Sequence, residues 1–561
     1  MSTFNELIDF TRSTTGTYLD SVVLTESVTN GDFDAGTNGW AEYDYKASVS
    51  ATGGQLTVIA TGTGNGSFAY QKINAKVGTT YIVTVQVSTT GAAYVRADTN
   101  ISTPWSVLGS TSFDGTANAT KSFTFIATEE EIYIGLGTTN ASVGLSATYN
   151  YISVKEVIGG QVSAGTPLLR TAAINEPRLE YDASGNPLGL LIEEGRTNLF
   201  INSIPNSGWT TSNTTLSFNV AESPDGQATA GLCAETATNN AHHTYQSGGF
   251  NFVAGTAYTS SVYVKANTAT SCQLTTTSSG FGSPGYANFD LSNGTLGTTG
   301  ASATSSIQEI GNGWYRISMT ATAETSASGS GGFIALNNNN PSASRLPIYA
   351  GDTSQSIYVW GNQVETSAFP TSYIPTSGST VARTADVASL PVERFAFNDT
   401  KGSVVVSAEM VTGSSSQGIA SFKGNAAVEN IGLYKVVSGN MVYEVRSSST
   451  NQASYNVPPA SNNFKVGYVF KKNDFNLAVN GIAYTTDTSG VVPTGLSTLL
   501  IGSIYYVGTN LMSGHIKQIQ YYPKRLSNTE LQLLTQPSAS PTMNLTFDGQ
   551  ATSTLVEGFH D

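Results

Sequence analysis

The sequence predicts an all-β fold assembled from successive sandwiches, and three observations carry that prediction. Charged residues make up only 11% of the 561 residues, glycine numbers 57, and Thr, Ser, Asn, Tyr and Val crowd the remainder, the residues that suit pleated strands and the turns between them. Apolar content of 39%, with 23 Phe and 27 Tyr, is enough to fill cores, so low charge does not signal disorder here. The chain is also too long for one hydrophobic core and divides into about three or four domains.

Strand periodicity is clearest in Tyr-Ile-Val-Thr-Val-Gln-Val at 81–87, where Tyr81, Val83, Val85 and Val87 share one face. The stretch 78–87 matches 255–264 in pattern, and Gly-Trp pairs at 39–40 and 208–209 precede the two copies. Each copy closes on a strand-like run, 151–157 in the first and 357–364 in the second. This reads as an internal duplication giving two sandwich modules, 26–158 and 198–376. From Thr380 the β runs become closely spaced, at 404–410, 441–445, 465–470 and 475–479, and form another sandwich over 377–535. Asn480-Gly481 predicts a hairpin turn, because both central residues tolerate positive φ. Ser527 at an N-cap with Glu530 three residues on predicts one short helix closed by a capping box. Residues 536–561 form a C-terminal extension with two open readings, a strand that docks on a neighbouring subunit or a mobile tail.

Three framing segments carry a resemblance. Phe-Thr-Arg-Ser-Thr-Thr-Gly-Thr-Tyr at 10–18, Asn-Glu-Pro-Arg-Leu-Glu-Tyr-Asp at 175–182 running on to Gly-Leu-Leu-Ile-Glu-Glu-Gly-Arg-Thr-Asn-Leu at 189–199, and Ala-Phe-Pro-Thr-Ser-Tyr-Ile-Pro at 368–375 resemble the framework of modular bacteriophage tail-fibre and spike proteins. Asn-Gly-Asp-Phe-Asp-Ala-Gly-Thr-Asn-Gly-Trp at 30–40 is similar to the opening of galactose-binding-like jelly rolls of the carbohydrate-binding-module type, and 514–531 to the last strand and closing helix of concanavalin-A-like or laminin-G-like lectin domains. The fold class implied is tandem jelly-roll β-sandwiches followed by a concanavalin-A-like β-sandwich. In the resembled family the segment at 10–21 is soon followed by the Pro-Arg segment, whereas here the first jelly roll intervenes. Residues 26–158 therefore read as an insertion, with 1–25 and 159–197 as two parts of one connector.

The resemblance implies a virion protein, a tail or head appendage made in the host cytoplasm and released by lysis. It implies host cell-surface polysaccharide or lipopolysaccharide and other virion proteins as partners, and a homotrimer as the assembly. Sequence features agree with this. A net charge of −14 opposes binding to nucleic-acid phosphates. No apolar run reaches the roughly 20 residues needed to span a bilayer, so no membrane insertion is expected. The N-terminus lacks the basic and apolar regions of a signal peptide. Cys233 and Cys272 fall in one module and read either as a pair or as two small buried hydrophobes.

No phosphate-cradling loop, zinc-protease helix or paired Cys-x-x-Cys motif is present, so no enzyme and no cofactor is expected; a structural calcium in a jelly roll is not readable from sequence. His242 and His243 are adjacent, and on a strand they would point to opposite faces, which disfavours a shared metal. Glu193 and Glu194 are better explained by pairing with Arg178 or Arg196 than as hydrolytic carboxylates. Sugar binding needs exposed aromatic faces with amide and carboxylate groups beside them. Trp40, Tyr43, Tyr45 and Trp105 in the first module and Trp209 and Tyr245 in the second meet that description, while Trp314 and Trp360 read as core. By analogy with lectin sandwiches, loops around Asn425, Asn430 and Asn510 line the rim of the third. The reading is glycan adhesion through several weak sites; a capsid or tail bracing protein and an exopolysaccharide depolymerase are the alternatives.

Overall fold

The computed structural model describes residues 8–20, 27–43, 47–62, 67–88, 93–100, 107–113, 119–138, 142–157, 168–183, 186–282, 285–411, 415–424, 429–459, 461–504, 510–537, 544–547 and 553–554. The fold is all-β, with antiparallel sheets stacked as sandwiches and one α-helix, Asn528–Thr535, among the described residues. No helix among them is long and apolar enough to cross a membrane. The chain divides into two compact units, residues 22–165 and residues 1–21 with 166–561.

The first unit is a jelly roll of two five-stranded sheets. One runs Ala119–Ile126, Thr80–Val87, Ser146–Val157, Leu56–Ala60, Ala47–Ala51; the other runs Ala41–Glu42, Phe68–Asn74, Glu131–Thr138, Ala93–Asp98, Val107–Phe113. Alternation decides what faces inward: Tyr81, Val83, Val85 and Val87 all enter the core with Ile132, Ile134 and Leu136. The Tyr149 hydroxyl lies fully buried and is satisfied by the Tyr94 and Gly137 carbonyls at 3.0 and 2.5 Å.

The second unit holds a jelly roll of the same topology. Its six-stranded sheets run Thr210–Ser212, His242–Phe252, Ala327–Leu336, Ser271–Thr275, Tyr286–Asp290, Thr295–Thr299 and Thr214–Ala221, Ala230–Glu235, Ser356–Thr366, Ala257–Ala266, Trp314–Thr322, Ala303–Gly311. Thr80–Val87 and Ala257–Ala266 lie beside the closing strands Ser146–Val157 and Ser356–Thr366 in their respective modules, the arrangement a duplication requires. Trp314 and Trp360 are both buried, as core. Cys233 and Cys272 are free thiols inside this sandwich; burial pushes Cys233 up to about 12 and Cys272 higher still.

The C-terminal sandwich packs an eight-stranded sheet against a nine-stranded one, and the framing segments join their edges. Asp9–Thr11 pairs with Val387–Pro391 in one sheet, and Pro187–Ile192 pairs with Gly514–Tyr522 in the other. Ile8, Phe10, Leu190 and Ile192 accordingly share a core with Val404, Tyr468 and Ile519. Asn480 and Gly481 make the hairpin turn with φ of 49° and 80°. The helix is closed by the Ser527 and Glu530 capping box, with bonds of 3.2 and 2.7 Å. Asn544–Phe547 of the extension lies parallel to Gly514–Tyr522 of its own chain.

A buried ionic cluster ties these pieces together. Asp386 accepts from Arg12 at 3.0 Å, from the Glu193 amide at 2.9 Å and from Arg178. Glu193 meets Arg178 at 2.8 Å and Arg383 at 3.3 Å, and accepts from the Ser372 amide and hydroxyl at 2.8 and 2.7 Å. Burial disfavours the Glu193 charge, yet Arg383, Arg178 and Ser372 hold its carboxyl below the usual range. Glu194, the neighbouring carboxylate, pairs with Arg196. Ser372 belongs to the 368–375 segment, which is thereby pinned to the connector.

Candidate functional site

The second jelly roll turns one sheet face outward with an aromatic patch on it. Along His242–Phe252 the side chains alternate, so His242 is buried at the Asn213 carbonyl, 2.7 Å away, and His243 and Tyr245 emerge on the opposite side. On the neighbouring strand Ile334 and Leu336 enter the core, which sends Phe333 outward. Tyr245 stacks on Phe333 at 4.6 Å between centroids and 6° between planes, and the His243 ring lies 5.5 Å from Tyr245 and 5.8 Å from Phe333. Tyr245 and His243 are half-buried, while Phe333 beneath them is 8% exposed.

The loop after Leu336 crosses the rest of this face and delivers a cation to the patch. Asn288 donates to the Ala343 carbonyl at 2.7 Å, Gln273 donates to the Ser344 carbonyl at 3.0 Å, and the Leu346 amide donates to Gln273 at 2.8 Å. Leu346 sits at φ 44°, a left-handed conformation that a branched side chain rarely adopts, so the backbone next to Arg345 is held under strain. Arg345 donates from Nε to the Thr275 hydroxyl at 2.9 Å and from Nη2 to the Thr276 carbonyl at 2.8 Å. Burial, then Arg345 and His242, draw the His243 pKa down, and its Nδ1 has no hydrogen-bond partner among the described residues.

The first jelly roll carries a comparable patch on its corresponding sheet. Tyr43 stacks on Phe68 at 5.0 Å, the Arg96 guanidinium lies over the Phe68 ring at 3.9 Å, and Tyr70 meets Tyr133 at 6.1 Å. Arg96 reaches there across Gly135, where a Cβ would stand 3.3 Å from its Nε. Here the cation is paired, with Asp98 at 2.7 Å. Burial, opposed by Arg96, raises the Asp98 carboxyl to about 6.

The sequence candidates separate sharply. Tyr43 and Tyr245 lie in these patches. Trp40 and Trp209 are core residues, 6% and 5% exposed, with their indole N–H groups donating to the Asn30 and Asn202 carbonyls at 3.3 and 2.6 Å, so neither offers an open ring face. Asn430 is buried within a strand, and Asn510 is exposed in a loop at φ 46°. Tyr45, Trp105 and Asn425 lie outside the described residues. Phe333 escaped sequence reasoning because Phe-Ile-Ala-Leu at 333–336 looks uniformly apolar. Arg345 left a signal that was available: it is the one charged residue between Glu324 and Asp352.

A groove of about 580 Å³ opens elsewhere in the second unit, lined by Glu180, Thr304, Ser306, Arg316, Glu409 and His515 among others. Its carboxylates are engaged by protein: Glu180 with His515 at 2.6 Å, Glu409 with Lys517 at 3.0 Å, and Glu193 with the ionic cluster. No group of His, Cys, Asp and Glu suited to a metal occurs among the described residues.

No protein-family model matches the chain, and no curated protein matches it either. Among solved structures, the chain is similar to the CBM40 module of a Ruminococcus gnavus IT-sialidase, at 19% identity and a TM-score of 0.23, covering 25% of this chain and 84% of that one. It is similar to a tandem CBM22 pair from Paenibacillus barcinonensis Xyn10C at 10% identity and a TM-score of 0.23, covering 62% of this chain and 98% of that one. A CBM4 structure matches at 18% identity and a TM-score of 0.21, covering 23% and 100%. None of these three is a phage fibre, and likenesses this weak carry no argument about function.

Proposed function

We propose that the chain is a non-enzymatic glycan-binding protein of a bacteriophage virion, a fibre or spike component that grips host-surface polysaccharide through weak sites on its jelly rolls. The observation that carries the reading is the Tyr245, Phe333 and His243 patch: three rings in mutual contact on the outer face of a sheet whose inner face already has a full core. Stacked rings beside amide and hydroxyl groups suit the apolar face of a pyranose ring with its hydroxyls. The corresponding patch around Tyr43 and Phe68 supports more than one site per chain, and linked weak sites gain their hold through effective concentration. The virion setting and a homotrimeric assembly rest on the resemblance of the three framing segments.

The test is retention of the intact protein by host capsular polysaccharide and lipopolysaccharide. Replacing Tyr245 with Ala is expected to weaken retention at least ten-fold while the unfolding midpoint stays within about 1 kcal/mol of the parent, since the ring is half-exposed. Unchanged retention would remove the patch from the mechanism. Native mass measured by light scattering is expected to correspond to three chains, and a monomer would favour a decoration protein that assembles only on the virion.

A further inference from the structure

We infer that the patch on the second jelly roll recognises a carboxylated sugar, with the Arg345 guanidinium meeting the carboxylate while Tyr245 carries the ring. This rests on the glycan-binding reading of the same face and names the class of ligand.

Arg345 stands apart among the arginines of this chain. All the others either form an ion pair with a carboxylate, as Arg12, Arg96 and Arg178 do, or, like Arg316, feel the field of Glu365. Arg345 forms no ion pair among the described residues, in a protein of net charge −14 where acidic partners abound. Burial pulls its pKa below the usual value, and no carboxylate raises it again. A half-buried cation without a counter-charge is costly to hold, and it is retained most readily where a ligand supplies the missing charge.

The geometry fits that ligand. A guanidinium carries five N–H donors in a planar fork, and Arg345 spends Nε and one Nη2 proton on Thr275 and Thr276. These two bonds fix the plane and leave the Nη1 and Nη2 end for the two oxygens of a carboxylate, the pairing that a guanidinium makes best. The strained Leu346 backbone and the Gln273 bonds on either side of Arg345 hold it against the sheet. His243 touches both Tyr245 and Phe333 and feels the charge of Arg345, which puts the guanidinium beside the aromatic patch. The first jelly roll differs at this point, because Asp98 already neutralises Arg96, so its patch suits a neutral sugar.

Affinity electrophoresis of the intact protein in gels containing polygalacturonate, alginate, hyaluronan or polysialic acid, each beside its methyl-esterified or carboxyl-reduced form, tests the inference. At least one acidic polymer is expected to retard the protein at least ten-fold more strongly than its neutral form, against the repulsion of the overall negative charge. Arg345→Gln is expected to abolish that preference, and Tyr245→Ala to abolish retention at this site altogether. Equal retardation by acidic and neutral forms, a preference that survives Arg345→Gln, or retention by neutral polymers alone would overturn the carboxylate assignment and leave the glycan site standing. Retention by no polymer of either kind, including the host polysaccharides, would overturn both. If Arg345→Gln fails to fold, the comparison of each polymer with its neutral form still decides the matter.

Discussion

At the scale of single residues, Asp386 does more than any other carboxylate to join distant parts of the chain. It neutralises Arg12 from the N-terminal segment and Arg178 from the connector, and it accepts the Glu193 amide, all without contact with solvent. Without it the buried Arg12 would lose its carboxylate partner and Arg178 would keep only Glu193, and removing one partner of a buried pair costs about 3–5 kcal/mol. Asp386→Ala is therefore expected to lower urea stability of the second unit by about that amount, and Asp386→Asn, which keeps the shape, to recover only part of it. Retention of full stability in both variants would mean that the cluster is relaxed by water. The pairing of Glu193 with Arg178 was legible in the sequence because both lie in one short stretch. Asp386 and Arg12 were not, because 374 residues separate them and no local pattern announces a partner so distant.

At the scale of elements, the alternating run at 81–87, the Asn480 turn and the capping box at Ser527 were all legible, since each is a local rule acting within a few residues. The fate of the framing segments was not. They read as a connector, yet Asp9–Thr11 becomes an edge strand of the C-terminal sandwich and Pro187–Ile192, with Leu179–Tyr181 outside it, extends the other sheet, a choice made by long-range pairing rather than by their own composition. The aromatic patches were half legible: the alternation of His242 and His243 could be foreseen, but which of many Trp and Tyr residues face outward depends on which strands pair. Buried carboxylates give the two units opposite responses to acid. Asp98, raised to about 6 in the folded first unit against 3.8 unfolded, binds its proton more tightly when folded, so that unit gains stability as pH falls from 7 toward 4, by at most about 3 kcal/mol. Glu193, depressed below 4.5, contributes stability that is present above pH 4.5 and is lost as pH falls further. Calorimetry is expected to show one transition rising between pH 7 and 5 while the other holds, then falls below 4.5. Asp98→Asn should flatten the first response, and a transition that does not move in the parent would show Asp98 to be ordinary.

At the scale of the whole molecule, the chain is a set of sandwiches with low charge density and a negative balance, which favours solubility and short-range recognition over electrostatic capture. The frame of the second unit closes through its own ladder, Gly16–Asp20 against Leu168–Ala172, with the ionic cluster behind it. Deleting residues 26–158 and joining the ends is accordingly expected to leave a folded protein with the urea midpoint of the second unit unchanged, as read by circular dichroism and native mass. Aggregation of that variant would show that the first jelly roll is needed for the remainder to fold.

Asp20 and Leu168 are opposite each other in that ladder, at the point where the chain departs and returns. The gap between them is one strand spacing, about 5 Å, and it is set by backbone hydrogen bonds that are indifferent to what the chain does in between. Such a place works as an exchange port: any domain whose termini lie that close together fits without pulling on the host fold. A lineage carrying this port can change what it presents to the outside in a single recombination step, keeping the rest of its fold intact.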